Sequence, residues 1–259
     1  MSNIFDTHCH PQFPQYDKDR KEVLTRADRA DVNMICVGTD LETSMGAIKL
    51  SQEYKNIWAT VGLHPNNISE YFDIFKYQNI LENPKIVAIG EVGLDYYRTS
   101  EPEKQKIQKK VFEQFIDLAI KYNKPMVLHF RDSSKGSAGR AHKDALEILS
   151  KDIAGVSHSF TGNLAEAKEY VNRGMYLGFN GIITFARQYD EVVKYIPLEN
   201  ILLETDSPYL TPEPYRGQRN EPLYVKGVAK KVAELKNISI DEVIVKTMQN
   251  VIKLFKIDI

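Results

Sequence analysis

The chain has 259 residues, 42% of them hydrophobic and 27% charged. That is enough apolar material for one sizeable core, and barrels of about 250 residues commonly form a single domain. Its formal net charge of -1 excludes a general electrostatic pull on nucleic acid, so any such site must be a local patch.

Two cysteines, Cys9 and Cys36, are too few for a disulfide framework and are expected as reduced core residues. The first residues, Met1 to Asp6, show no basic segment followed by an apolar run, so no leader is expected. No stretch approaches the roughly 18 apolar residues of a membrane span. A cytoplasmic protein without membrane contact is the expectation, and a monomer.

Short apolar runs recur along the chain, separated by longer amphipathic stretches. Strands are predicted at Ile4–His8, Met34–Val37, Ile57–Val61, Ile86–Glu91, Met126–His129, Gly155–His158, Met175–Phe179 and Ile201–Glu204. Helical spacing is clearest in Lys104–Tyr122, where Ile107, Val111, Phe115, Leu118 and Ala119 recur at three- and four-residue intervals. Asp144–Leu149, Leu164–Arg173, Asp190–Tyr195, Pro222–Leu235 and Ile240–Phe255 behave similarly. Alternating strands and helices imply a parallel sheet, and eight units favour a closed (β/α)8 TIM barrel, an α/β fold, over an open sheet. The first strand is not followed by GxGxxG, which weighs against a dinucleotide-binding sheet. One domain over residues 1–259 is expected.

In such barrels the chemistry sits at the carboxyl ends of the strands. The first predicted strand ends in His8-Cys9-His10, and side chains two apart share a face, so both imidazoles reach one point while Cys9 turns away. The fourth ends in Glu91, the fifth in His129 and the sixth in His158; the eighth runs into Glu204-Thr205-Asp206. Four of the six histidines thus meet two carboxylates at equivalent positions. Imidazole with carboxylate suits zinc, manganese, iron or cobalt. The donors are too many for one tetrahedral ion and suit a pair, which can share a carboxylate when about 3.5–4 Å apart. The assignment is His8, His10 and Asp206 to one ion, His129 and His158 to the other, and Glu91 between them. Mg2+, Mn2+ and Zn2+ are the candidate ions. Glu204, two before Asp206, is read as orienting a ligand or a water. His64, after the third strand, is read as a substrate contact or a hydrogen-bonded supporter of the site. His142, in a polar loop, is read as solvated.

The two longest polar loops are Arg131–Lys143 and Ser207–Glu221. The second carries Arg216, Arg219 and Asn220, donors that suit phosphate oxygens, and Tyr209 and Tyr215, on which a base can stack. The first carries Arg131, Lys135, Arg140 and Lys143 against one acid, Asp132.

Taken together, Phe5-Asp6-Thr7-His8-Cys9-His10, Gly62-Leu63-His64-Pro65, Gly90-Glu91-Val92-Gly93-Leu94-Asp95-Tyr96-Tyr97, His129-Phe130-Arg131-Asp132, His158-Ser159-Phe160-Thr161-Gly162, Glu204-Thr205-Asp206-Ser207-Pro208-Tyr209-Leu210 and Pro214-Tyr215-Arg216-Gly217-Gln218-Arg219-Asn220-Glu221-Pro222 resemble the TatD family of metal-dependent deoxyribonucleases. That family lies within the wider amidohydrolase-like barrel superfamily. The resemblance spans essentially the whole chain. It implies a (β/α)8 fold, a dinuclear site, and hydrolysis of DNA, often as a 3′-to-5′ exonuclease on single strands. It implies the same ligands: His8, His10, Glu91, His129, His158 and Asp206. On this reading a water activated by two metals attacks phosphorus, with Asp206 orienting or deprotonating it. Two features depart from the family pattern: extra length at Ser133–Arg140, and Ser159 where a cysteine often follows the sixth-strand histidine. A second expectation is hydrolysis of a carbonyl substrate (an amide, lactone or D-aminoacyl ester) by the same kind of centre.

Overall fold

The computed structural model describes residues 3–69, 72–134, 140–149 and 153–258. The elements follow one another as β1 (Ile4–Cys9), α1 (Arg20–Arg29), β2 (Val32–Cys36), α2 (Leu41–Glu53), β3 (Ile57–Val61), α3 (Ile74–Gln78), β4 (Ile86–Asp95), α4 (Pro102–Tyr122), β5 (Met126–Arg131), α5 (Ala141–Ile148), β6 (Gly155–Ser157), α6 (Leu164–Asn172), β7 (Tyr176–Phe179), α7 (Asp190–Tyr195), β8 (Ile201–Leu203), α8 (Val225–Lys236) and α9 (Ile240–Phe255). The strands lie in one sheet in chain order, β1 to β8, each parallel to the next.

The ends of this sheet meet. A parallel bridge joins Cys9 to Ser207. The Asp206 amide donates to the His8 carbonyl at 2.8 Å, and the His10 amide to the Ser207 carbonyl at 2.9 Å. Below them the Asp6 carboxylate accepts from the Thr205 amide (2.9 Å) and hydroxyl (2.6 Å), and the Thr7 hydroxyl donates to the Leu203 carbonyl at 3.0 Å. The expected (β/α)8 barrel is therefore present, and its seam lies directly beneath His8, His10 and Asp206.

Local chemistry explains several helix starts. Asp40 and Thr43 form a reciprocal cap on α2, Asn163 and Glu166 do so on α6, and the Ser239 hydroxyl accepts from the Glu242 amide on α9. Inside the barrel, Phe5, Ile35, Val37, Val127, Val156 and Leu202 join one apolar cluster with Val251, Leu254, Phe255 and Ile257 at the chain's end. The last helix thus plugs one end of the barrel and leaves the other for polar groups. Between strands and outer helices runs the larger core, with Phe112 and Phe115 of α4 among its buried side chains.

Several boundaries differ from expectation. Helices α1, α2 and α3 carry no strong apolar repeat and were not assigned; α1, for instance, buries only Val23, Leu24 and Ala27. Strand β4 continues four residues beyond Glu91 to Asp95. Strands β6 and β8 stop short of His158 and Glu204. His142 corrects its reading as solvated. It lies in the first turn of α5, 1% exposed, with its Nδ1 3.2 Å from the Tyr170 hydroxyl and its ring edge-on to Phe160. Among the described residues no helix is long and apolar enough to cross a membrane.

Candidate metal centre

Two irregularities in the strands aim the site. The β1–β2 register shifts between Asp6 and Cys9, and the β4–β5 register between Ile89 and Val92. His8 lies in the first interval and Glu91 in the second, and such bulges redirect side chains. Gly93, opposite His129 on β5, is required there: a Cβ on it would lie 2.1 Å from the His129 carbonyl oxygen, and its φ is +147°.

The side chains predicted as ligands converge. Glu91 stands at the centre with its two oxygens facing opposite ways. Oε1 lies 2.8 Å from both His129 Nδ1 and His158 Nε2. Oε2 lies 3.5 Å from His8 Nε2. Asp206 Oδ1 is 3.8 Å from His8 Nε2 and 3.5 Å from His10 Nε2. Asp206 holds a left-handed φ of +55°, a conformation that Asp tolerates better than most residues.

The partner behind each imidazole decides what the other nitrogen offers. His10 Nδ1 lies 2.8 Å from the Val37 carbonyl. A carbonyl only accepts, so the proton sits on Nδ1 and Nε2 is left with a lone pair. His129 stands between two carboxylates, with Nε2 3.3 Å from Asp95 Oδ2 and Nδ1 2.8 Å from Glu91 Oε1, and both favour a proton on the ring. His158 has Glu204 Oε1 3.7 Å from its Nδ1, too far for a hydrogen bond, and Glu91 Oε1 2.8 Å from its Nε2. Ring nitrogens crowd together: His8 Nε2 and His10 Nε2 at 3.2 Å, His129 Nδ1 and His158 Nε2 at 3.1 Å. Lone pairs so placed repel unless a cation or a proton lies between them, and this donor set fits divalent cations. Clusters able to hold an ion include His8, His10 and Glu91, and His8, His158 and Asp206.

Charges inside the site follow. Burial works against ionisation of Glu91, but His158, His64 and His129 outweigh it and hold its carboxyl well below the usual range. Burial likewise works against a charge on His158; Glu91 and Glu204 prevail and push it well above an ordinary imidazole. His8, fully enclosed and beside His158, is pushed down. Asp206 is lowered because His10, His8 and His158 overcome its burial.

Asp95, at the far end of β4, is a further buried acid beside the site that the strand-end pattern does not single out. It is 1% exposed and takes hydrogen bonds from the Asn66 side chain (2.8 Å) and the Arg98 amide (2.9 Å). It shares its parity along β4 with Glu91, which is the signal that could have found it. Glu204 accepts from the Ser159 amide at 2.6 Å. Gly178 makes room for it, since a Cβ there would lie 2.3 Å from Glu204 Oε2.

The family model for the TatD related DNase matches residues 5–256. The chain belongs to the TatD family. It is 39% identical over 264 residues to the uncharacterized metal-dependent hydrolase YabD of Bacillus subtilis, covering 98% of this chain and all of that one. It is 36% identical over 265 residues to the uncharacterized metal-dependent hydrolase YcfH of Escherichia coli K12, covering 98% and 96%. The crystal structure of YjjV, a TatD homologue from E. coli K12, superposes with a TM-score of 0.86 at 29% identity over 98% of both chains. A TatD family hydrolase from Entamoeba histolytica shares the fold, with a TM-score of 0.83 at 24% identity over 98% of this chain and 99% of that one. The chain is accordingly a TatD-type metal-dependent hydrolase.

Around the mouth of this TatD barrel, the residues expected to meet substrate separate into two groups. Arg131 lies 3.9 Å over the Tyr97 ring, and Arg216 lies 3.6 Å over Phe185. Tyr97, Tyr209 and Tyr215 are exposed. Arg219 and Asn220 are spent on structure. Arg219 pairs with both oxygens of Asp19 (2.8 and 2.6 Å) and lies over Tyr16. Asn220 is fully buried; its amide donates to the carbonyls of Thr205 and Tyr209, and its oxygen accepts from the Glu221 amide at 2.9 Å. Asn220 therefore shapes the loop rather than presenting a donor at the mouth. In the other loop, Arg140 is paired with Asp132 and Glu166, so a helix distant in sequence neutralises part of the expected basic cluster. Lys135 lies outside the described residues.

Proposed function

We propose that this chain is a deoxyribonuclease that hydrolyses DNA phosphodiester bonds, acting from the 3′ end of single strands. The reading takes residues 1–259 as one catalytic domain working as a cytoplasmic monomer. The observation that carries it is the rim. Arginines laid on aromatic rings, Arg131 on Tyr97 and Arg216 on Phe185, flank a mouth filled with imidazoles and carboxylates. Guanidinium pairs with phosphate oxygens, and aromatic faces accept bases of any sequence. A small amide, lactone or D-aminoacyl ester needs neither.

In this account His8, His10 and Asp206 would hold one divalent cation and His129 and His158 another, with Glu91 shared between them; its contacts with His8 through one oxygen and with His129 and His158 through the other support that role. Bound cations supply polarisation of the phosphoryl oxygen and a lowered pKa for water. Asp206 would take the proton of the attacking water as the new P–O bond forms, and that proton would pass to the leaving oxygen as its bond to phosphorus breaks. Its lowered pKa keeps it ionised and able to do so. Glu204, 3.7 Å behind His158 Nδ1, would keep that ring turned toward the centre. Arg131 and Arg216 retain the strand, and Tyr209 and Tyr215 stack its bases.

The test is degradation of end-labelled single-stranded DNA by metal-free protein, with Mg2+, Mn2+, Zn2+ or no metal restored. Metal-dependent shortening from the 3′ end is expected, and Asp206→Asn should lower it by about 10²–10⁴-fold, the usual contribution of a positioned acid–base group. Intact DNA under every metal, with turnover of a small ester under one of them, would move the assignment to a carbonyl hydrolase.

A further inference from the structure

His64 faces the same centre as the ligand histidines, with its Nε2 3.6 Å from Glu91 Oε1 and its ring edge-on to that of His129 at 4.4 Å. By position alone it joins Glu91 and His129 as a third candidate ligand. What stands behind its ring is the reverse of what stands behind His10. His64 Nδ1 lies 3.1 Å from the Asn66 backbone amide, which donates to it. A backbone N–H only donates, so Nδ1 must carry the lone pair and the ring proton must sit on Nε2.

Asn66 cannot readily turn away. Its side chain is held by Asp95 (2.8 Å) and by the Thr99 hydroxyl (3.4 Å). The loop is fixed further by the His64 amide donating to the Thr39 carbonyl and the Asn67 amide to the His64 carbonyl. Asp95 thus works on both rings through one oxygen. It accepts from His129 directly and holds Asn66 against His64, whose N–H is left pointing inward.

We propose that His64 is a hydrogen-bond donor to the substrate oxygen that gains charge in the reaction, and not a metal ligand. A nitrogen that already carries a proton has no lone pair to give a cation. It is suited to a non-bridging phosphoryl oxygen beside the His129 half of the centre, where a pre-positioned donor favours developing charge. The choice of a phosphoryl oxygen rests on the nuclease reading; the exclusion from the metal does not.

Two measurements decide it. Long-range proton–nitrogen correlation on 15N-labelled protein reads the tautomer of each ring, metal-free and saturated with Zn2+. His64 should show a protonated Nε2 in both states, while His10 shows a bare Nε2 that shifts with Zn2+. A bare or Zn2+-bound Nε2 on His64 overturns the proposal. In parallel, His64→Ala and His64→Gln should bind as many Zn2+ per chain as the unsubstituted protein. On single-stranded DNA, His64→Ala should lose about 10²–10³-fold in kcat with little change in KM, and His64→Gln, which restores an N–H, should recover part of it. Loss of a Zn2+ from either folded variant, or unchanged kcat in His64→Ala, contradicts it. If the unsubstituted protein leaves DNA intact, the nuclease reading fails while the tautomer and the Zn2+ count still judge His64.

Discussion

The two ends of this barrel solve opposite problems with the same strands. At the plugged end, Phe5, Val127, Val156 and Leu202 meet Leu254 and Phe255 of α9 in an all-apolar contact. At the open end, a few residues further along the same strands, imidazole nitrogens face one another at 3.1–3.2 Å around a buried carboxylate. The first arrangement stabilises the fold by removing apolar area from water. The second gathers imidazoles and carboxylates at one point, an arrangement that favours a bound cation. Stability and function are therefore expected to separate along the barrel axis.

The largest effects should show that separation most plainly. Asp206→Asn should lose about 10²–10⁴-fold in turnover with a thermal unfolding profile of the metal-free protein close to the parent's. Phe255→Ala, at a side chain 3% exposed, should cost about 3–5 kcal/mol in denaturant unfolding and leave metal affinity unchanged in the folded fraction. A Phe255→Ala variant with weakened metal binding would show that the two ends are coupled.

Smaller effects sharpen the account of the open end. Asp95→Asn removes the carboxylate behind His129 and should weaken divalent-metal binding by about 10–100-fold, read by titration calorimetry; unchanged affinity would remove Asp95 from that role. The pH dependence has a definite sign. His158 is held well above its ordinary value of 6.5 by Glu91 and Glu204, so between 6.5 and its shifted value it keeps a proton that a cation must displace. Metal affinity should then rise with pH across that window, about tenfold per unit for each proton released. Calorimetry at pH 7 in two buffers of different ionisation heat should detect the release; a pH-independent affinity would contradict it.

Much of this was legible in the sequence because strand ends in a parallel barrel converge whatever their spacing in the chain. His8, His10, Glu91, His129, His158 and Asp206 could be named as a set without contacts. What could not be read depends on partners remote in sequence. Arg219 looks available until Asp19, 200 residues earlier, is seen to hold it. Asn220 looks polar and open until the carbonyls of Thr205 and Tyr209 close over it. His142 sits in a polar stretch but turns inward, because α5 begins at Ala141 and packs Ala141, His142 and Ala145 against the barrel. The tautomers of His10 and His64 depend on single backbone groups, the Val37 carbonyl and the Asn66 amide, which no residue type announces.

Glu91 offers the most direct test, since its two oxygens contact His8 through one and His129 and His158 through the other. Metal-free protein and its Glu91→Gln variant would be titrated with Zn2+ or Mn2+, and the ions bound per folded chain counted by elemental analysis. Two ions in the parent and loss of both high-affinity sites in Glu91→Gln is the predicted result. A parent that binds no ion, or a variant that retains two with parental affinity, would contradict a centre organised around this carboxylate.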